Sequence, residues 1–396
     1  VRPVLPAARR RTLGLRAATP IAWLLVGSLA GCRSASPPSP AAPILPPPQE
    51  KGDSAFKGQP SAVEQPSPAG EPQLIVIPPE GGELYGPVWS PASDQVAFCS
   101  FVDDPAHSVA HASVSLYTPK ERKLLALLTR TGEPKTFHRV EYVAWSPTGD
   151  RLVVSELVGL YESEGDLVGW VMPASGRKPL ELPGDTEVPA WSPDGKQLAR
   201  LRLDQTGEEP RHYLDVVPAD ARSEDQSHLV VRPGEFEFID DLAWSPDGRE
   251  LLCLASRKTR AVVALADIGD GPAEPRIVAD LGQNFGFGTR IVWSSDGKRA
   301  ILADNTELLF IDVRSEKVER RQFPGEVVGY SADAEVTAFL VEDRLNVVLR
   351  GNESPQMLLE LDNVEDKPVD VAFAPDLSKL VICADGKLWL HEFAKG

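Results

Sequence analysis

The chain has 396 residues, with 41 Lys and Arg against 58 Asp and Glu, and a formal charge of -17. Its first 31 residues hold five Arg and no acid, so the remainder carries -22, a balance that repels nucleic acid and anionic lipid and excludes both as ligands of the body. The four Cys, at 32, 99, 253 and 383, form no Cys-x-x-Cys pair, and the last three stand in apolar runs where buried, inert thiols are expected.

Residues 1 to 31 run from a basic segment, through an apolar stretch from Ile21 to Ala30, to Gly31 and Cys32, the three-part plan of an export signal. About ten apolar residues fall well short of the roughly 20 that span hydrocarbon as a helix. Leu29-Ala30-Gly31-Cys32 resembles the lipobox of bacterial lipoproteins. That resemblance implies cleavage before Cys32, lipidation of Cys32, and membrane attachment through the lipid. Arg33, standing where an Asp would retain such a lipoprotein in the inner membrane, implies the outer membrane facing the periplasm. Residues 33 to 72 contain eleven Pro and few large apolar side chains, too little to bury a core. Residues 32 to 72 therefore read as a lipidated Cys followed by a disordered tether, semi-extended at about 3 Å per residue and able to reach about 100 Å.

From residue 73 to 396 the texture becomes short β-branched and apolar runs punctuated by Pro, Gly and Asp, which reads as strands and turns without amphipathic helices. An aromatic-Ser-Pro-Asp-Gly unit organises this region. It is complete at Trp191 to Gly195 and Trp244 to Gly248, nearly so at Trp145 and Trp293, and degraded at Trp89, Tyr330 and Phe373. The seven anchors lie 37 to 56 residues apart, the spacing of a four-stranded blade. Pro presets a turn, Asp bonds back to the backbone and Gly accepts the left-handed position, while the large ring fills the wedge between blades. These seven residues are thus assigned a structural role.

The units resemble the bacterial WD40-like Pro-Asp repeats of the TolB-type propeller family, over about residues 72 to 396. The resemblance implies an all-β propeller and an interaction role in the cell envelope. Family propellers have six blades, whereas seven units stand here. After Phe373 the chain supplies two more strands, Lys379 to Cys383 and Lys387 to Phe393, while Gln73 to Ile77 is an orphan strand ahead of Trp89. The expected fold is a seven-bladed propeller of four-stranded antiparallel blades whose N-terminal strand closes the last blade; six blades, with the Tyr330 unit as an insertion, is the alternative.

In such a ring the links from second to third strand, and from each blade to the next, share the face opposite the Pro-Asp turns. Blades 5 to 7 are expected to turn tightly at Asp304-Asn305-Thr306, Glu342-Asp343-Arg344 and Asp385-Gly386. Blades 1 to 3 are expected to carry loops over Phe101 to Ala112, Glu156 to Val168 and Asp204 to Arg211, and the crossings around blade 4 hold Glu235 to Phe238 and Asn284 to Phe287. The candidate binding face is therefore Phe101, Asp103, Asp104, His107, Phe137, Tyr161, Glu162, Phe236, Phe238, Phe285 and Phe287, aromatic anchors among acids on a rigid scaffold. The competing reading is that alternate Phe residues, such as Phe236 and Phe238, plug the tops of the blades.

Asp103, Asp104, His107 and His111 offer donor atoms, but His-x-x-x-His on a loop lacks the helical phase that aligns a metal pair, so no metal and no cofactor are assigned. Gly-x-Ser-x-Gly, the sialidase Asp-box and a phosphate-cradling Gly loop do not occur, and no hydrolase domain is expected after the last blade. The sequence favours a non-catalytic module that binds an envelope protein. A propeller enzyme, a lyase or hydrolase of an envelope or extracellular polymer, is the alternative.

Overall fold

The computed structural model describes residues 60–62, 71–104, 109–131, 136–160, 165–204, 211–269, 271–283, 285, 290–349, 354–361 and 369–393. Among these, strands form six four-stranded antiparallel sheets and one of five strands. Each sheet follows one repeat, so the protein is a seven-bladed β-propeller. Blade 1, for example, runs through Gly82–Trp89, Val96–Asp104, Val109–Thr118 and Lys123–Thr131, from the innermost strand outward.

The ring closes as the repeat count requires. Gln73–Ile77 pairs antiparallel with Lys387–Glu392, completing the blade that begins at Asp370–Phe373. A two-residue strand, Ser61–Ala62, pairs with Gln73–Ile77 and adds a fifth member from within the segment whose composition reads as tether. The last blade is fastened to the first by the Leu84 N–H, which donates to the Gly386 carbonyl at 3.1 Å, and by the Gly86 N–H, which donates to Asp370 at 3.2 Å.

Repetition of the Trp unit has a physical cause visible at every joint. Trp89, Trp145, Trp191, Trp244 and Trp293 end innermost strands and are buried to the same degree, 7 to 8% exposed. Each indole N–H donates to a carbonyl one residue before the anchor of the preceding blade: Ala372, Val88, Ala144, Ala190 and Ala243, at 2.9 to 3.2 Å. One side chain thus fills the interblade wedge and supplies a hydrogen bond worth about 1 kcal/mol. Tyr330 fastens differently, its hydroxyl donating to the Arg290 carbonyl at 2.6 Å, and Phe373 stacks on Phe393.

Inside the turn, Ser192, Ser245 and Ser294 donate to Asp194, Asp247 and Asp296, each at 2.7 Å. Those bonds hold the three carboxyls below the usual carboxylate range. Each Ser hydroxyl also accepts the backbone N–H five residues on, from Gln197, Glu250 and Arg299. Gly195 holds φ +68 with the Thr148 side chain 3.5 Å from where a Cβ would stand, so it serves the turn and its packing on the preceding blade. The motif's Ser and Asp are spent on the turn.

Interblade packing makes up the core. Separate apolar clusters lie between successive blades, such as the one joining Leu201, Leu214, Phe236, Trp244 and Cys253. Cys99, Cys253 and Cys383 are free and buried, as their surroundings in sequence suggest. Burial pushes the Cys253 thiol up to about 12 and raises the other two as well.

Candidate functional site

Blade height is uneven and follows a rule. The second strand starts six or seven residues after the anchor in every blade. It ends fifteen residues after the anchor in blades 1 and 2, thirteen in blades 3 and 4, and eleven in blades 5, 6 and 7. Because the starts coincide at the Pro-Asp turns, all the extra length projects from the opposite face. Four extra residues at about 3.4 Å each raise blades 1 and 2 by about 14 Å over the low half. The increments are even, so the same pleat face stays inward as a strand lengthens.

Of the three stretches read as loops, those in blades 1 and 2 are therefore mostly ladder, while in blade 3 only the two end residues pair. Strand pairing in blade 1 continues to Asp104 opposite Val109, in blade 2 to Val158 opposite Asp166, and in blade 3 to Asp204 opposite Arg211. Acids and glycine in these runs disguise their alternation, and pairing overrides local propensity. The tight turns of blades 5 to 7 occur as expected, with Asn305, Glu342 and Asp385 at φ 48, 53 and 52. Blade 4 also turns in two residues, Lys258 and Thr259.

The projecting hairpins are braced at their base. Glu156 sits eleven residues past its anchor, the level at which the low blades stop, and is completely buried. Its carboxylate accepts the Arg130 Nε–H at 3.0 Å and the Trp170 indole N–H at 2.9 Å, and lies 2.9 Å from His138 Nδ1. Burial opposes its charge, yet the His138 and Arg130 contacts hold its pKa below the ordinary value. Blade 3 has a second such brace. Arg200, fully buried, donates to both oxygens of Asp215 at 2.8 and 3.2 Å and to the Pro183 carbonyl at 2.6 Å.

The residues assigned to the binding face divide on this scaffold. Phe101 and Phe137 are half-buried on the raised strands of blades 1 and 2; the Arg139 guanidinium lies 6.0 Å from the Phe101 ring centroid. Phe238 is half-buried and meets the His212 ring edge-on at 5.5 Å. Phe236 and Phe285 are corrections, being only 3% and 6% exposed within interblade clusters. Each plugs a wedge and presents nothing to a partner. Asp103 and Asp104 belong to the second strand of blade 1. His107, Tyr161, Glu162 and Phe287 lie outside the described residues.

A second feature carries no motif of its own. Counting back three residues from each anchor gives Gly86, Tyr142, Val188, Asp241, Arg290, Val327 and Asp370, and all but Val188 line one axial cavity of about 330 Å³. Register alone identifies that layer, since equivalent positions on innermost strands share one depth in the ring. The Arg290 guanidinium stands 5.1 Å from the Tyr142 ring centroid. Asp241 is 7% exposed; it accepts the Ile291 N–H at 2.7 Å, and burial pushes its carboxyl up to about 6 against the pull of Arg290.

One residue nearer the raised face, Glu187 lies 3.6 Å from His212, and burial, helped by the charges of Glu141 and Asp185, pushes Glu187 up to about 7. Burial likewise raises Glu141, although Arg139 at 3.5 Å opposes this. Glu141, Glu187 and Asp241, on three innermost strands, are thus carboxylates that burial makes costly to ionise.

No family model matches the chain. No curated protein matches it either. Solved structures share its fold. One of the mitotic checkpoint complex aligns over 87% of this chain and 100% of its own, at 14% identity and a TM-score of 0.53. Hydrazine synthase from Kuenenia stuttgartiensis aligns over 78% and 95%, at 16% identity and 0.50. TolB from Acinetobacter baumannii aligns over 72% and 77%, at 14% identity and 0.41. One of these is an enzyme by name and another is part of a complex, so shared architecture does not decide between catalysis and binding.

Proposed function

We propose that the chain is a lipid-anchored, extracytoplasmic interaction module that captures an envelope protein on the face where blades 1 to 4 project. The observation that carries this reading is the stepped height of the second strands, fifteen, thirteen and eleven residues past the anchor around the ring. A stepped rim on a rigid ring makes one side of the face a wall and the other a floor. Half-buried aromatics at Phe101, Phe137 and Phe238 supply low-entropy anchors of the kind binding sites use. The leader and the Leu29 to Cys32 motif support export and lipidation, and the Pro-rich tether supports display away from the membrane.

The test is recovery of a partner from membranes by the full chain bearing its leader. Protein crosslinked to the wild type should be missing from Phe101→Ala/Phe238→Ala, which removes no fully buried side chain. Equal recovery by both would overturn the binding face. Metabolic labelling with a radioactive fatty acid tests the anchor separately: label should enter the wild type and fail to enter Cys32→Ala.

A further inference from the structure

The axial cavity holds a charge that its own residues leave without a close partner. Its lining includes the carboxylates of Asp241 and Asp370 against a single cation, Arg290. Asp241, more than nine-tenths buried, has only backbone amides for partners, Ile291 N–H at 2.7 Å and the adjacent Leu242. No cation among the described residues comes within ion-pair distance of it. Nor does the Arg290 guanidinium form a hydrogen bond or ion pair there with any described residue, although the Asp241 and Asp370 charges act on it through space. It rests on the Tyr142 ring and lines the cavity.

Leaving a buried carboxylate without a counter-ion is costly, and a cation delivered from outside would relieve that cost. Resident chemistry shows what such a group would meet: an aromatic face, already taken by one guanidinium, and carboxylates fixed by backbone N–H donors. The volume of about 330 Å³ admits a long side chain but not a folded segment.

We propose that this cavity is a binding site for a cationic side chain, the guanidinium or ammonium of an Arg or Lys that a protein partner inserts along the propeller axis, with Asp241 as its anionic contact. The excess negative charge of the body draws such a partner in. This deepens the reading of the chain as an interaction module and rests on it for the identity of the ligand's carrier.

The experiment titrates the full chain, purified in detergent, with N-acetyl-arginine amide and with its neutral isostere N-acetyl-citrulline amide. Arginine amide should bind in the millimolar range and citrulline amide at least tenfold more weakly. Asp241→Asn, whose side-chain carbonyl can still accept the Ile291 N–H, should weaken arginine binding about tenfold, or about 1.4 kcal/mol. Arg290→Gln, which removes the competing resident cation, should strengthen it several-fold, and it decides the matter should Asp241→Asn fail to fold. Absence of arginine binding, equal binding of the two probes, unchanged affinity in folded Asp241→Asn, or weakened affinity in Arg290→Gln would overturn the site. Arginine binding together with undiminished partner capture by Phe101→Ala/Phe238→Ala would leave this site standing and remove the aromatic face. The converse result would keep the face and remove the site.

Discussion

Blades 1 and 2 and blades 5 and 6 obey the same rule at one end and diverge at the other. All begin their second strands six or seven residues after the anchor, yet the second strands of the first pair have 9 and 10 residues and those of the second pair 6 each. The turn end is fixed because every blade must make it and staple it to its neighbour. The opposite end is free to vary, and what varies there is what can be selected for binding. The extension also requires bracing. Nine residues past the anchor, six blades bury Phe98, Val154, Cys253, Leu302, Phe339 and Ile382, whereas blade 3 buries Arg200.

That contrast sets the largest expected effect. Arg200→Ala takes from the buried Asp215 carboxylate its closest partner, leaving only Arg202 at 3.6 Å, and should cost about 3 kcal/mol in denaturant unfolding. Replacing both partners by Leu, so that blade 3 resembles blade 5, should restore most of the loss. A double variant no better than the single one would mean the ion pair has a role that aliphatic packing cannot supply.

Next in size is a pH effect confined to the tall half. Unfolded Glu and Asp titrate near 4, while burial pushes Glu187 to about 7 and Asp241 to about 6. Between those values the folded protein holds more protons than the unfolded chain, so these groups lower stability as pH rises from about 4 to about 7. Glu187 faces Glu141, Asp185 and His212. Glu187→Gln should therefore raise stability by about 2 kcal/mol at pH 8 and change little at pH 4. An equal change at both values would show that packing, not charge, governs the site.

The staple itself should behave alike in both halves. Trp244→Phe keeps an aromatic ring in the wedge but loses the pyrrole half and its bond to the Ala190 carbonyl, and Trp293→Phe loses that to Ala243, each costing about 2 kcal/mol. A much larger cost in one half would locate cooperativity there. The smallest effect belongs to the low half, where Glu342 holds φ 53 in a two-residue turn. Glu342→Gly should stabilise by about 0.5 kcal/mol, visible as a small rise in melting temperature.

The sequence carried the fold well because the Trp unit marks a turn that repeats, and a repeat reports register. Seven blades, the closing strand at Gln73–Ile77 and the tight turns at Asn305, Glu342 and Asp385 all follow from it. Strand length was less legible. Phe101-Val102-Asp103-Asp104 has the acids of a loop, and only its ladder partners make it a strand. Phe236 and Phe238 look equivalent in sequence, yet one is core and the other half-exposed, a difference set by where the innermost strand begins. The cavity layer was written in the same register as the anchors, three residues upstream, but its members share no residue type. Arg200 and Asp215 had no periodic signal, since a single ion pair across adjacent strands occurs once.

The proposed binding face lies on the tall half of the ring, away from the repeated turn. A photo-crosslinking residue placed at His111 in blade 1, at Glu307 in blade 5, or at Asp247 in a Pro-Asp turn reports which face a partner touches when the full chain is irradiated in its native membrane. Crosslinks to the same partner from position 111, with none from positions 307 and 247, are expected. Crosslinks from position 247 alone, or equally from all three, would contradict the claim.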